Sequence, residues 1–289
     1  MKKTLGIFAL SCMLMLTMMS STIADQGNVV SLGADLTQKQ QEQILSLFDV
    51  NKEDVMILTV TNDEERDYLE GLVPEKQIGT RAISSAYVKL APEGSGIDVK
   101  THNITWVTEE MYANAMVTAG IEDAQVMAAA PFKVSGTAAL TGIMKAFERA
   151  SGQKLSSQAK QIANEELVIT GDLGDEIGKE KAVKLIQNIK KRVVEQDIKE
   201  PEDIRKVIQN IAVELNIQLT DSQVDRILSL MEKISRLNLN VDKISQQLGK
   251  MSSTLDEIKR AVEENKGLIQ KIFNIINNFF GWLQQIFSK

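Results

Sequence analysis

One cysteine and one histidine occur in 289 residues. Cys12 lies in an apolar stretch near the N-terminus, and loss of that stretch leaves no thiol for a disulfide, a thiolate metal site or a nucleophile. With His102 as the single imidazole, zinc has no ligand set to draw on. A Ser-His pair lacks the nucleophile-elbow motif that would support it, and His102 reads as a solvent-facing strand residue. A basic excess is absent from the front half too. Residues 25–150 carry 19 acidic against 10 basic side chains, and 151–289 carry 20 against 21. An acidic front half offers no footprint for nucleic acid. The run Gly171-Asp172-Leu173-Gly174-Asp175-Glu176 has acids without calcium-loop spacing. Adjacent acids such as Glu64-Glu65 do not share a helix face, so they make poor acid–base pairs. No metal, no cofactor and no catalytic residue is assigned.

What is present begins with a leader. Lys2 and Lys3 precede an uncharged apolar run from Leu5 to Met19, and Ala24 supplies a small residue for cleavage before Asp25. The run is short for a membrane span, which needs about 20 residues; a retained anchor is the alternative. Cys12 sits inside the run rather than after it, which argues against lipidation. The expectation is a signal peptide over 1–24 and an exported, cysteine-free mature chain of bacterial type.

Patterning along 25–150 alternates between strand and helix. Helix is expected over 37–48, strand over 54–61, helix over 62–72, and strands over 81–90 and 97–107 joined by the Pro92–Gly96 turn. Thr108 starts a helix ended by Gly120, with Met111 where a capping box would have its acid. A short strand follows over 123–130. The order βαββαβ predicts an α+β, ferredoxin-like domain with strands one and four and strands one and three adjacent, and both helices on one face. Beyond residue 135 the chain reads as an all-α helical bundle. Helices are expected over 135–150, 156–167 (broken by Gly171, Gly174 and Gly178) and 180–196, and another from Pro201. The expected division is an α+β domain over 25–150, a helical domain over 151–220 and a long heptad-patterned amphipathic helix over 221–289.

Three runs carry a family resemblance. Residues 79–87 (GTRAISSAY), 103–108 (NITWVT) and 129–142 (AAPFKVSGTAALTG) resemble the YpuA-like family of exported proteins of Gram-positive, mainly spore-forming bacteria. The resemblance covers roughly residues 25–220. It implies export and an unassigned function, and it supplies no catalytic residues.

The same runs hold the candidate chemistry. Arg81, Ser84, Asn103, Ser135 and Thr137 are guanidinium, hydroxyl and amide groups near strand ends and a helix start. A helix start offers free N–H groups to an anion, and Arg81 can add a bidentate contact to carboxylate or phosphate. The plain structural alternative is a helix cap with a salt bridge. Such a head would bind a small anionic ligand or act as an enzyme on one.

The C-terminal segment points elsewhere. From Ile227 to Ile286, 18 positions follow an unbroken 3-4 spacing, with Asn265 the one polar member. No proline interrupts it, and Gly249 and Gly267 are the expected breaks. Near its end the apolar arc widens: Ile272, Phe273, Ile276, Phe279, Phe280, Trp282, Leu283 and Phe287 lie on one side. Five of the chain's 13 aromatic residues fall there. Such an arc suits a membrane interface, self-association as a coiled coil, or burial in the protein's own bundle. The expectation is an extracytoplasmic, envelope-associated interaction or structural protein tethered through this helix.

Overall fold

The computed structural model describes residues 27–69, 80–237, 239 and 246–247. The expected signal segment, 1–24, and the aromatic arc, with Ile272, Phe273, Ile276, Phe279, Phe280, Trp282, Leu283 and Phe287, lie outside the described residues.

The elements in chain order are β1 (Asn28–Gly33), α1 (Gln38–Leu47), β2 (Met56–Val60), α2 (Asn62–Leu69), β3 (Ser85–Leu90), β4 (Ile97–Ile104), α3 (Glu109–Ala119), β5 (Ala124–Val134), α4 (Thr137–Ser151), α5 (Ser157–Ile177), α6 (Lys179–Glu195), α7 (Pro201–Glu214) and α8 (Asp221–Ile234). The fold is α+β, with one five-stranded sheet ordered β2-β1-β3-β5-β4. β1 runs parallel to β2 and β4 parallel to β5, while β1–β3 and β3–β5 are antiparallel.

This order corrects the ferredoxin-like expectation. A fifth strand, β1, precedes the expected set and lies between β2 and β3. The expected β3–β4 hairpin does not pair, because β5 inserts between the two. Small residues make that position tenable: Ala124, Ala128, Ala129 and Ala130 of β5 are fully buried, so helices can approach closely on both faces. β5 also runs on through Pro131 to Val134, with a register irregularity opposite His102 and Ile104.

Side chains alternate across the sheet, as strand geometry requires. Val29, Ala86, Val88, Val126 and Ala128 face a large core shared with α3, α4 and the helical bundle. Val30, Leu32, Ile83, Ala129 and Ala130 face a smaller core closed by Ile44, Leu45 and Phe48 of α1 and its C-terminus. The large core continues without interruption from the sheet into α5–α8.

Several helix ends follow the sequence chemistry. Thr37 and Thr220 form capping boxes with Gln40 and Gln223. At Thr108 the reciprocal acceptor is a sulfur: the Thr108 backbone N–H meets Met111 Sδ at 3.4 Å. α5 runs ten residues past the expected end at Leu167, through Gly171 and Gly174, and stops at Gly178. The reason lies in packing: a Cβ on Gly171 would stand 2.3 Å from the Trp106 ring, so this glycine makes room for the indole instead of breaking the helix.

The long final helix is also corrected at its start. α8 ends at Ile234, with Ser235 as its C-cap. Ile227, Leu230 and Ile234, the first members of the heptad series, are buried in the protein's own core. Leu237 and Leu239 pack against that core in non-helical chain, so the break comes well before Gly249. Further on, the Gln247 side chain is buried and donates to Asp123 at 3.2 Å.

Candidate functional site

A cavity of about 580 Å³ opens where β3 begins, where β4 and β5 end, and where α2 and α4 meet. Its volume lies in the range of small-molecule sites, about 300–1,000 Å³. Arg81, Ser84, Ser135 and Thr137 line it, so four of the five residues singled out in the sequence converge there. Asn103 does not. It sits at the β4 irregularity with φ +59°, and its side chain donates to Ala130 O at 2.9 Å, fastening β4 to β5.

Local structure fixes each group. Residues 81–82 are held against the loop after β1: Ala82 N–H donates to an Asp35 carboxylate oxygen at 2.7 Å, and Asp35 N–H donates to Ala82 O at 3.2 Å. That anchor leaves Arg81 exposed on the cavity wall, where its guanidinium forms no ion pair among the described residues. Ser84 is buried just before β3. The β5–α4 connection carries Ser135, then Gly136 at φ +101°, then Thr137 as the first residue of α4. Gly136 takes the N-cap position and supplies no side-chain cap. Among the described residues, then, this helix start has no side-chain cap and Arg81 no ion pair.

The cavity floor holds a residue that sequence reasoning set aside. Glu65 of α2 is 1% exposed and accepts a hydrogen bond from Thr137 Oγ1 at 2.9 Å. Burial pushes its carboxyl up to about 7, against the pull of the Thr137 and Asn62 hydrogen bonds and the Arg66 charge. Ser135 Oγ lies 3.5 Å from Thr137 Oγ1, which links the half-buried serine to the buried acid through one hydroxyl. Tyr112 lies buried behind the β5–α4 connection: its hydroxyl donates to Gly136 O, and burial raises its phenol well above the usual range.

Two rings and a second acid complete the lining. Phe132 is 42% exposed at the rim. Trp106 donates its indole N–H to Asp175 at 2.9 Å, and both border the cavity. The signal for Trp106 lay inside the NITWVT run. Glu65 looked like a first-turn helix acid, the kind that ordinarily faces solvent. His102 is exposed on β4, away from the cavity. Among the described residues no three His, Cys, Asp or Glu side chains gather as a metal site.

Residues 32–251 match the model of a family described as a protein of unknown function, DUF1002. The chain is also 43% identical over 244 residues to the Uncharacterized protein YpuA of Bacillus subtilis (strain 168), covering 83% of this chain and 84% of that protein. The chain belongs to this YpuA-like family. Its membership bears out the resemblance carried by the three sequence runs, and the family match spans every cavity residue named above. No solved structure matches. Among the described residues no helix is long and apolar enough to cross a membrane.

Proposed function

We propose that this YpuA-like protein is an exported, envelope-associated protein whose folded head binds a small anionic ligand in the Arg81–Thr137 cavity. The supporting observation is convergence. Residues far apart in sequence, singled out for their chemistry within the three family-like runs, line one cavity of ligand size with a guanidinium on its wall that forms no ion pair among the described residues. A guanidinium next to hydroxyl donors and an uncapped helix start favours negative charge on the ligand. Binding suffices to explain these groups, and no bond-breaking step is part of the reading. The test is a thermal-shift screen of the chain from Asp25 onward against carboxylates and phosphates. A rise in Tm that Arg81→Ala abolishes supports the site; no shift across the panel removes it.

Export and attachment rest on the sequence. The leader at 1–24 supports secretion, and N-terminal sequencing of protein recovered from a Gram-positive envelope fraction should begin at Asp25. The aromatic arc from Ile272 to Phe287 supports a tether to membrane or to copies of itself. Liposome flotation should be lost when 266–289 are removed; equal flotation of both forms would rule the membrane tether out.

A further inference from the structure

Resting on the binding-site reading above, we propose that the ligand is a sugar acid, a hydroxylated ring bearing one carboxylate. The argument starts from what the cavity asks of its occupant. Arg81 is one planar cation with no carboxylate partner among the described residues, and it fits the two oxygens of a single carboxylate. Elsewhere on the lining stand two carboxyl groups, Glu65 and Asp175. Ionised carboxylates accept hydrogen bonds and donate none. Asp175, exposed on the lining, is satisfied by a ligand that brings O–H donors, and it repels a second negative charge; buried Glu65 already accepts from Thr137. A doubly charged phosphate therefore meets one attractive cation opposed by the Asp175 carboxylate, whereas a hydroxylated monoanion suits both.

The apolar part of the lining agrees. Phe132 is exposed at the rim, and Trp106 is oriented by its bond to Asp175 and by the close pass of Gly171. Aromatic faces in a pocket otherwise rich in hydroxyls match a ring that is apolar on its C–H faces and polar around its edge. A bare carboxylate such as acetate would engage Arg81 and make no use of the rings or of the exposed Asp175 carboxylate. The combination of a guanidinium with no ion pair among the described residues, the exposed Asp175 carboxylate and two rings in one cavity is what selects a sugar acid over simpler anions.

Calorimetric titration of the chain from Asp25 onward tests this, with glucuronate, glucose, acetate and inorganic phosphate as separate probes. Glucuronate is expected to bind about ten-fold or more tighter than each of the other three. Arg81→Gln should reduce glucuronate to the level of glucose, and Phe132→Ala should weaken glucuronate while leaving acetate unchanged. Both positions are exposed, and circular dichroism on each variant is the check that it folds. Acetate or phosphate binding as tightly as glucuronate, and lost in Arg81→Gln, overturns the sugar-acid assignment and leaves the anion site standing. Glucose equal to glucuronate, or no heat with any probe at millimolar concentration, overturns both.

Discussion

Lys190 of α6 meets Glu166 of α5 at 2.7 Å with both side chains 1% exposed. The ammonium also donates to Asn114 O at 2.8 Å and to Thr118 Oγ1 at 3.0 Å, and the Thr118 hydroxyl donates to Glu166. Three acceptors surround a cation with three protons to give, so the charge is fully compensated where α3 packs on α5 and α6. Replacing one partner strands the other. Lys190→Met is expected to cost about 3–5 kcal/mol in urea unfolding. The double variant Lys190→Met/Glu166→Leu should recover most of that loss. A double variant as unstable as the single one would show that the helices, and not the pair, were damaged.

Glu65 gives a pH prediction. Its carboxyl stands at about 7 in the folded protein against 4.5 ordinarily, so between these values the folded state holds a proton that the unfolded state has released. The associated stability is fully present below about 4.5 and is lost as pH rises through about 7. The range amounts to roughly 3 kcal/mol at 1.36 kcal/mol per pH unit. Glu65→Gln keeps a neutral hydrogen-bonding group and should flatten this slope. Urea midpoints at pH 5 and pH 8 provide the comparison; parallel behaviour of variant and parent would show that Glu65 does not titrate in this window.

Gly171→Ala would set a methyl group against the Trp106 ring, where the Cβ position is 2.3 Å from the nearest ring carbon. Helix propensity favours alanine, so any loss isolates the collision. A destabilisation of about 1–3 kcal/mol is expected. The Trp106–Asp175 bond should open as well, shifting Trp106 emission in a Trp282→Phe background. Unchanged stability and emission would show that α5 and the indole can separate freely.

Asp123 organises a turn. Its carboxylate accepts Gly94 N–H at 3.0 Å, Gly96 N–H at 2.7 Å and the Gln247 amide at 3.2 Å. Asp123→Ala should cost about 1–3 kcal/mol, since backbone donors lose an ionised acceptor. It should also release the chain around Gln247, seen as faster amide exchange there than in the parent. Exchange confined to the Gly94–Gly96 turn would mean that Gln247 is held by other contacts.

The alternation between strand and helix was legible because local chemistry and tertiary demand agreed: Thr37, Thr108 and Thr220 cap helices, and Pro201 opens one. β1 was hidden because six residues, Asn28–Gly33, carry little periodic signal on their own. Missing it changed the sheet order, since β1 joins β2 to β3. The candidate site was legible where it lies on strand ends and a helix start, as at Arg81, Ser84, Ser135 and Thr137. Asn103 was drawn in by its neighbours in sequence, and a left-handed turn aims it at Ala130 instead. Glu65, Phe132 and Asp175 join the cavity through tertiary packing, for which one-dimensional spacing carries no signature.

The place of β1 between β2 and β3 sets a floor on N-terminal trimming. β2 hydrogen-bonds to no other strand of the sheet, and β1 begins four residues after Ala24. An aminopeptidase that removed Asn28–Gly33 would therefore delete one strand and orphan a second, leaving α4 only the β3 and β5 part of the surface on which it is seated.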